Sequence, residues 1–83
     1  MVRVVEVKVI EPYRIWVRFD DDLEGTLDLS PMLDTGIFQQ LRDPALFEKA
    51  QIDQITHTVT WPNGIDLCPD SLYQDIKSQQ LAA

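Results

Sequence analysis

The sequence has little of several features that define familiar protein classes. Its 83 residues include one cysteine, Cys68, so the chain cannot build a disulfide framework or a cysteine-based zinc cluster. Three glycines and five prolines are too few for a collagen-like or low-complexity chain. No apolar run approaches a transmembrane helix, and the start, Met-Val-Arg-Val-Val-Glu, is not that of a signal peptide. We therefore expect a cytoplasmic protein with no membrane partner.

Positive charge is also scarce. Fourteen Asp and Glu residues against seven Lys and Arg give an acidic protein with a formal net charge of -7. This balance disfavours a broad basic surface that captures nucleic acid, although a local basic site is compatible with it. Four of the bases lie in the first strands: Arg3, Lys8, Arg14 and Arg18. The length predicts one small domain over residues 1–83, which dimerisation would help to stabilise.

Hydrophobic alternation predicts a three-stranded antiparallel meander over residues 1–29. Apolar residues occupy every second position in two runs: Val5, Val7 and Val9, then Tyr13, Ile15, Val17 and Phe19. The short Glu11-Pro12 connection joins these strands as a hairpin, and residues 20–25 turn the chain into a third strand.

Short helices are predicted over residues 30–50. Ser30 followed by Pro31 is typical of an N-cap and a first helical position, and Gly36 can end that helix. A second helix is indicated by the spacing of Ile37, Phe38 and Leu41. Asp43-Pro44 repeats the capping pattern, which predicts a helix that continues through residue 50.

A hairpin over residues 51–67 is predicted from its turn. Pro62, Asn63 and Gly64 fit a type I turn with a glycine that completes a bulged hairpin, so Trp61 faces Ile65. One strand face is expected to continue across this turn, and it comprises His57, Val59, Trp61, Ile65 and Leu67.

A terminal helix is predicted over residues 69–79. Pro69 fits its first position, and Asp70 places negative charge in its first turn. One face carries Leu72, Tyr73 and Ile76. The fold class is therefore α+β: a twisted antiparallel sheet, made of the N-terminal meander and the C-terminal hairpin, with short helices on one face and a C-terminal helix.

A set of residues spread over nearly the whole chain suggests a family. They are the Val-rich first strand, Phe19, residues 27–31, Leu33, residues 36–38, Leu41, Phe47, Trp61, Asn63, Gly64, Asp66, Leu67, Pro69, Asp70, Leu72 and Tyr73. At these positions the chain resembles the domain of unknown function 2442 family. It departs from the family at residues 20–25, where members carry a turn of the type Phe-x-Asp-Gly.

The resemblance implies a small prokaryotic α+β domain, sometimes fused to a helix-turn-helix domain. It also implies a chain often encoded beside another small protein, in the manner of toxin–antitoxin pairs. It implies no catalytic residue.

Two reactive side chains deserve a chemical interpretation. His57 is the single histidine, and its spacing places neither a nucleophile nor a metal ligand set beside it, so we expect a packed or edge histidine. Cys68 precedes the terminal helix, whose N-terminus favours a thiolate, whereas Asp66 and Asp70 oppose one. We expect Cys68 to be a small, partly buried residue.

The carboxylates raise the alternative that the chain binds a metal ion or is an enzyme. The acidic run at residues 20–24 lacks the ligand alternation and mid-loop glycine of an EF-hand, so a solvated turn is expected. Asp28 and Asp66 lie between apolar neighbours, where a hydrogen bond to a backbone amide explains them. We predict no catalytic, cofactor or metal site. A pocket joining Asp28, His57 and Asp66 would instead favour a small enzyme with a carboxylate site.

The clearest functional pattern is Arg14-Ile15-Trp16-Val17-Arg18. Alternation turns Arg14, Trp16 and Arg18 outward together, and Trp and Arg are enriched in protein interfaces. The alternatives are a Trp16 covered by helices of residues 37–50, with arginines paired to Glu6, Glu24 or Asp28, and a nucleic-acid surface. We predict a non-catalytic protein–protein interaction domain that binds itself or a small partner, in an antitoxin-like role. The alternative function is a nucleic-acid-associated regulator.

Overall fold

The computed structural model describes residues 2–81 and has an α+β fold. Its first part is a three-stranded antiparallel sheet in the order β1 (Val4–Glu11), β2 (Arg14–Phe19) and β3 (Glu24–Asp28). In the register of this sheet, Trp16 lies between Lys8 of β1 and Thr26 of β3. The predicted meander is confirmed.

Three short helical segments follow the sheet. Two 3-10 helices, Ser30–Asp34 and Gly36–Arg42, precede α1 (Pro44–Phe47). The Asp43 carboxylate accepts a hydrogen bond from the Ala45 amide at 3.0 Å, so the predicted cap at Asp43 is confirmed. The predicted cap at Ser30 is wrong, because Ser30 is itself helical and its amide and hydroxyl donate to Asp28 at 2.9 and 2.6 Å.

The helix predicted to reach residue 50 is shorter than expected. It ends at Phe47, after which the amides of Lys49 and Ala50 donate to carbonyls three residues earlier, at 3.0 and 3.3 Å. These tight turns redirect the chain into β4 (Gln51–Ile52). The local sequence continues to favour a helix there, but the chain must pair with β5 (Val59–Thr60).

The turn over residues 61–65 has the predicted form. The Trp61 amide donates to the Ile65 carbonyl at 2.9 Å, and Gly64 adopts a φ of 91°, which favours glycine. Beyond the turn, pairing is limited to a bridge between Thr60 and Asp66. The terminal helix, α2 (Pro69–Leu81), extends two residues past its predicted end.

His57 lies outside the strand face on which it was placed. Its φ is 56°, it is half-buried, and it precedes β5. The left-handed conformation follows from a turn in which the Asp53 carboxylate accepts from the Ile55 and Thr56 amides at 2.7 and 3.1 Å. The carbonyl of His57 accepts from the Val4 amide at 2.9 Å and so joins this turn to β1.

The core lies between the inner face of the sheet and the later elements. The Phe19 and Tyr73 rings meet edge to face at 5.1 Å, which holds α2 against this inner face. Trp61 is 2% exposed, and its indole nitrogen donates to the Phe47 carbonyl at 3.0 Å. Among residues 2–80, fifteen hydrophobic residues are buried: Val4, Ile15, Val17, Phe19, Leu27, Leu29, Leu33, Leu41, Phe47, Val59, Trp61, Ile65, Leu67, Leu72 and Ile76.

The contact of α2 with β3 depends on the absence of a side chain. A Cβ on Gly25 would lie 2.8 Å from Cγ2 of Ile76, which is 1% exposed. Glycine at this position therefore lets the helix approach the strand. Within residues 2–81, no helix combines the length and apolar character that a membrane crossing needs.

Candidate functional site

The outer face of the sheet carries the residues predicted to form an interface. In β2, Ile15, Val17 and Phe19 are buried, so alternation turns Arg14, Trp16 and Arg18 away from the core. We define the outer face by these three residues together with Lys8 and Thr26. The helices pack on the opposite side of the sheet, so the alternative in which residues 37–50 cover Trp16 is wrong.

Trp16 is half-buried by its own sheet neighbours. The Lys8 ammonium lies 5.4 Å from the centre of its ring, a cation–π distance, and Thr26 is its register partner on the other side. Sequence reasoning did not connect Lys8 with Trp16. The register of the hairpin over Pro12 and Tyr13 could have shown the connection, because it places Lys8 opposite Trp16. The Trp16 ring is therefore held in place with part of its surface open to a partner.

The basic side chains of the outer face are paired with acids. Arg14 lies 3.1 Å from the Glu11 carboxylate, and Arg18 lies 3.1 Å from Glu6. Arg18 also lies 3.5 Å from Asp22, and Lys8 lies 3.7 Å from Glu6. Of the predicted acidic partners, Glu6 is confirmed, whereas Glu24 and Asp28 are register neighbours that form no ion pair within residues 2–81. Exposed pairs of this kind contribute little stability, but they neutralise the positive charge locally.

A second feature is a groove of about 480 Å³ between the first 3-10 helix and α2. Most of its lining is apolar. It is formed by Asp28, Leu29, Pro31, Met32, Phe38, Asp66, Leu67, Cys68, Ser71, Leu72 and Asp75. The groove brings Asp28 and Asp66 into one cavity, but His57 does not line it. The three-residue arrangement that would favour a small enzyme is therefore incomplete.

Cys68 differs from expectation in both exposure and ionisation. It is exposed rather than partly buried. The amide and hydroxyl of Ser71, together with the Asp70 amide, lower the pKa of the thiol, and the opposing charge of Asp70 is a smaller effect. Cys68 therefore accepts hydrogen bonds at the start of α2, where amides lack helical partners.

The carboxylate of Asp28 is fixed in a similar way. The Ser30 hydroxyl, followed by the Ser30 amide, lowers the pKa of Asp28. This agrees with the expected structural role for a carboxylate that bonds to a backbone amide. Asp66 is exposed on the rim of the groove, and only its backbone takes part in the bridge to Thr60.

The acidic turn at residues 20–24 is held by internal contacts. Asp21 accepts from the Tyr73 hydroxyl at 2.6 Å and from the Leu23 amide at 3.0 Å, and both bonds lower the pKa of its carboxyl. Asp22 pairs with Arg18. No group of three or more His, Cys, Asp and Glu side chains is arranged to hold a metal ion in the described part of the chain.

The residues of the turn and helix start at 61–73 serve the fold. The Asn63 side chain donates to Gln40 at 3.0 Å and accepts from the Ile65 amide at 3.2 Å, which ties the turn to the second 3-10 helix. Pro69 and Asp70 open α2, while Leu72 is buried. Tyr73 links that helix to the acidic turn.

Comparisons with known proteins agree with this architecture. Residues 4–78 match the family described as "Protein of unknown function (DUF2442)". No curated protein matched the chain.

One similar solved structure is the "Crystal Structure of Putative DNA Binding Protein NE0471 from Nitrosomonas europaea ATCC 19718". It superposes with a TM-score of 0.82 at 20% identity over 96% of this chain. The match spans 52% of that protein, so our chain corresponds to about half of its length. At this identity the structural likeness shows the fold alone. The family match, over residues 4–78, includes nearly every helix and strand of the structure. The chain belongs to the DUF2442 family.

Proposed function

We propose that this chain is a non-catalytic protein–protein interaction domain and that its partner binds the outer face. The proposal is carried by Trp16, which lies on the side of the sheet opposite the core and is held by Lys8 and Thr26. A partly open tryptophan flanked by arginines has the composition of an interface hot spot. The partner is a second copy or a small protein. The family resemblance implies a chain often encoded beside another small protein, in the manner of toxin–antitoxin pairs, and this favours an antitoxin-like role.

Ion pairing on the outer face supports a protein partner over a nucleic acid. Arg14, Arg18 and Lys8 all have carboxylates within 4 Å, so a phosphate must compete with Glu6, Glu11 or Asp22. The net charge of -7 adds long-range repulsion. A protein partner can instead exchange these ion pairs across an interface and bury the indole.

A nucleic-acid-associated regulator is the second candidate, favoured by the name of the Nitrosomonas europaea protein. About half of that protein lies outside the match, so its name gives little support for nucleic-acid binding by this chain. The candidate predicts salt-sensitive binding of labelled duplex DNA or RNA that falls in the Arg14→Gln/Arg18→Gln variant. Absence of any salt-dependent change in anisotropy would eliminate it.

The interface proposal is tested with Trp16→Ala, using Ile55→Ala as the control. Ile55 is 87% exposed and lies outside the outer face, so its truncation removes an exposed apolar side chain elsewhere. Each protein is immobilised for capture from a native-source lysate, and its mass is measured by light scattering. We expect Trp16→Ala to weaken association by about 30-fold or more, as for a hot spot of at least about 2 kcal/mol.

The controls separate binding from folding. Ile55→Ala should associate like the wild type, and both variants should keep the wild-type circular dichroism spectrum. A wild-type chain that is monomeric and captures no protein would contradict the proposal. So would a Trp16→Ala variant that associates as strongly as the wild type.

A further inference from the structure

We infer that the groove beside α2 docks a basic, amphipathic segment of a partner protein. The groove and the outer face share no residue, so this inference does not rest on the proposed function. It goes beyond it by identifying a second surface and the chemistry of what that surface binds.

The floor of the groove can accept an apolar side chain. Leu29, Leu67 and Leu72 form part of the buried core beneath it, while Met32 and Phe38 are half-buried at its side. Its volume of about 480 Å³ lies within the range of cavities that bind organic groups. A Leu, Met or Phe of a partner would cover apolar surface that is now open to water.

The rim of the groove is acidic. Asp28, Asp66 and Asp75 line it, and among the described residues no Lys, Arg or His does. An adjoining depression of about 370 Å³ shares Asp66, Leu67 and Cys68 with the groove and adds Asp70. The trough formed by the two therefore carries four carboxylates along an apolar floor.

These carboxylates differ from the acids of the outer face because they lack basic partners. Of the ion pairs within residues 2–81, none includes Asp28, Asp66, Asp70 or Asp75. Arg14 contributes only a weak electrostatic effect on Asp28, whose main partner is Ser30. The negative potential of the trough is therefore left for an incoming cation.

Charge decides which occupant fits. A second copy of the chain also carries a net charge of -7, and nucleic acid is polyanionic, so both are repelled by an acidic trough. A Lys- or Arg-bearing peptide with one bulky apolar residue satisfies both the floor and the rim. Such a segment belongs to a basic partner protein.

The test uses a fluorescein-labelled synthetic peptide of about twelve residues, in which Lys and Arg flank a central Leu-Phe pair. Binding to the full chain is followed by fluorescence anisotropy. Two further peptides replace the Leu-Phe pair with Ser-Ser or replace the bases with Glu. We expect both changes to weaken binding, because each removes one of the two complementary features.

The protein variant is Asp66→Asn/Asp75→Asn, and the matched control is Asp20→Asn/Glu48→Gln. All four side chains belong to exposed residues, and both variants lose two negative charges, but neither control residue lines the groove. We expect the groove variant to bind the basic peptide about 3- to 10-fold more weakly, as for two exposed charge pairs. The control should change the affinity by less than about 2-fold, since neither of its residues lines the groove and the charge of an exposed side chain is screened by salt.

Cys68 provides a second measurement that is independent of substitution. As the single cysteine, it is the only thiol that iodoacetamide can alkylate in the native chain, and it lines the groove. Saturating basic peptide should slow this alkylation several-fold. Equal weakening by the groove and control variants would overturn the inference, as would equal binding of the Ser-Ser peptide, unprotected Cys68, or no binding of the basic peptide to wild type.

Discussion

Replacement of Gly25 by alanine tests the contact between β3 and α2. The added Cβ would lie 2.8 Å from Cγ2 and 3.3 Å from Cγ1 of Ile76, closer than carbon atoms pack. Ile76 is 1% exposed and branched at Cβ, so its γ carbons cannot swing away. Overpacking of this kind costs about 1–3 kcal/mol, and the lower entropy of the unfolded alanine chain offsets less than about 1 kcal/mol of it.

We therefore expect Gly25→Ala to lower the free energy of unfolding by about 1–2 kcal/mol and Tm by about 5–15 °C. The assay is urea unfolding followed by far-ultraviolet circular dichroism, as a double-mutant cycle with Ile76→Ala. Because Ile76→Ala removes both γ carbons, Gly25→Ala should cost nothing in that background, which gives a coupling energy of about 1–2 kcal/mol.

Gly64→Ala is the control for this cycle. Nothing lies within 4 Å of a Cβ at Gly64, so its cost arises from the φ of 91° and should be the same in both Ile76 backgrounds. The steric reasoning is refuted if Gly25→Ala stabilises the wild type. It is also refuted if Gly25→Ala costs as much in the Ile76→Ala background as in the wild type.

Three further predictions concern single hydrogen bonds and one thiol. Trp61→Phe removes the donor to the Phe47 carbonyl and leaves a cavity, so urea unfolding should show a loss of about 2–4 kcal/mol. The Tyr73 hydroxyl lowers the pKa of Asp21. The stability that this hydrogen bond gives the folded state is therefore complete above the ordinary carboxyl pKa of about 4, and it is lost as the pH falls through the lower pKa that Asp21 has in the folded protein. Tyr73→Phe should therefore reduce the loss of stability in acid. An unchanged dependence of the free energy of unfolding on pH would contradict this. Alkylation of Cys68 should reach half its maximal rate at a lower pH than that of free cysteine, because hydrogen bonds lower the pKa of the thiol.

Much of the fold follows from short-range patterns in the sequence. The alternation that buries Ile15 and Val17 predicts the meander, and the turn at Asn63-Gly64 forms with the expected glycine conformation. Both features depend on residues that are close together in the sequence, so a local sequence pattern is enough to predict them. The end of α1 at Phe47 and the position of His57 depend on where the chain must return to pair, so local preference misplaces them.

Of the two candidate surfaces, the outer face could be predicted from the sequence and the groove could not. Alternation was sufficient to group Arg14, Trp16 and Arg18, since they lie on one strand. The groove joins β3, the loop after β5 and α2, and the sequence gives no sign that Asp66 and Asp75 line one cavity. The exposure of Cys68 follows from the same tertiary arrangement, which the general tendency of cysteine to be buried does not capture.

The uneven pairing of charge also has a kinetic consequence. On the outer face, acids and bases lie within a few ångströms of each other and their fields cancel at a distance. The carboxylates beside α2, which form no ion pair within residues 2–81, instead project a field into solvent. A cationic protein that diffuses toward this chain is therefore oriented before contact. Its association rate should fall steeply with ionic strength, while its dissociation rate is set by the apolar floor.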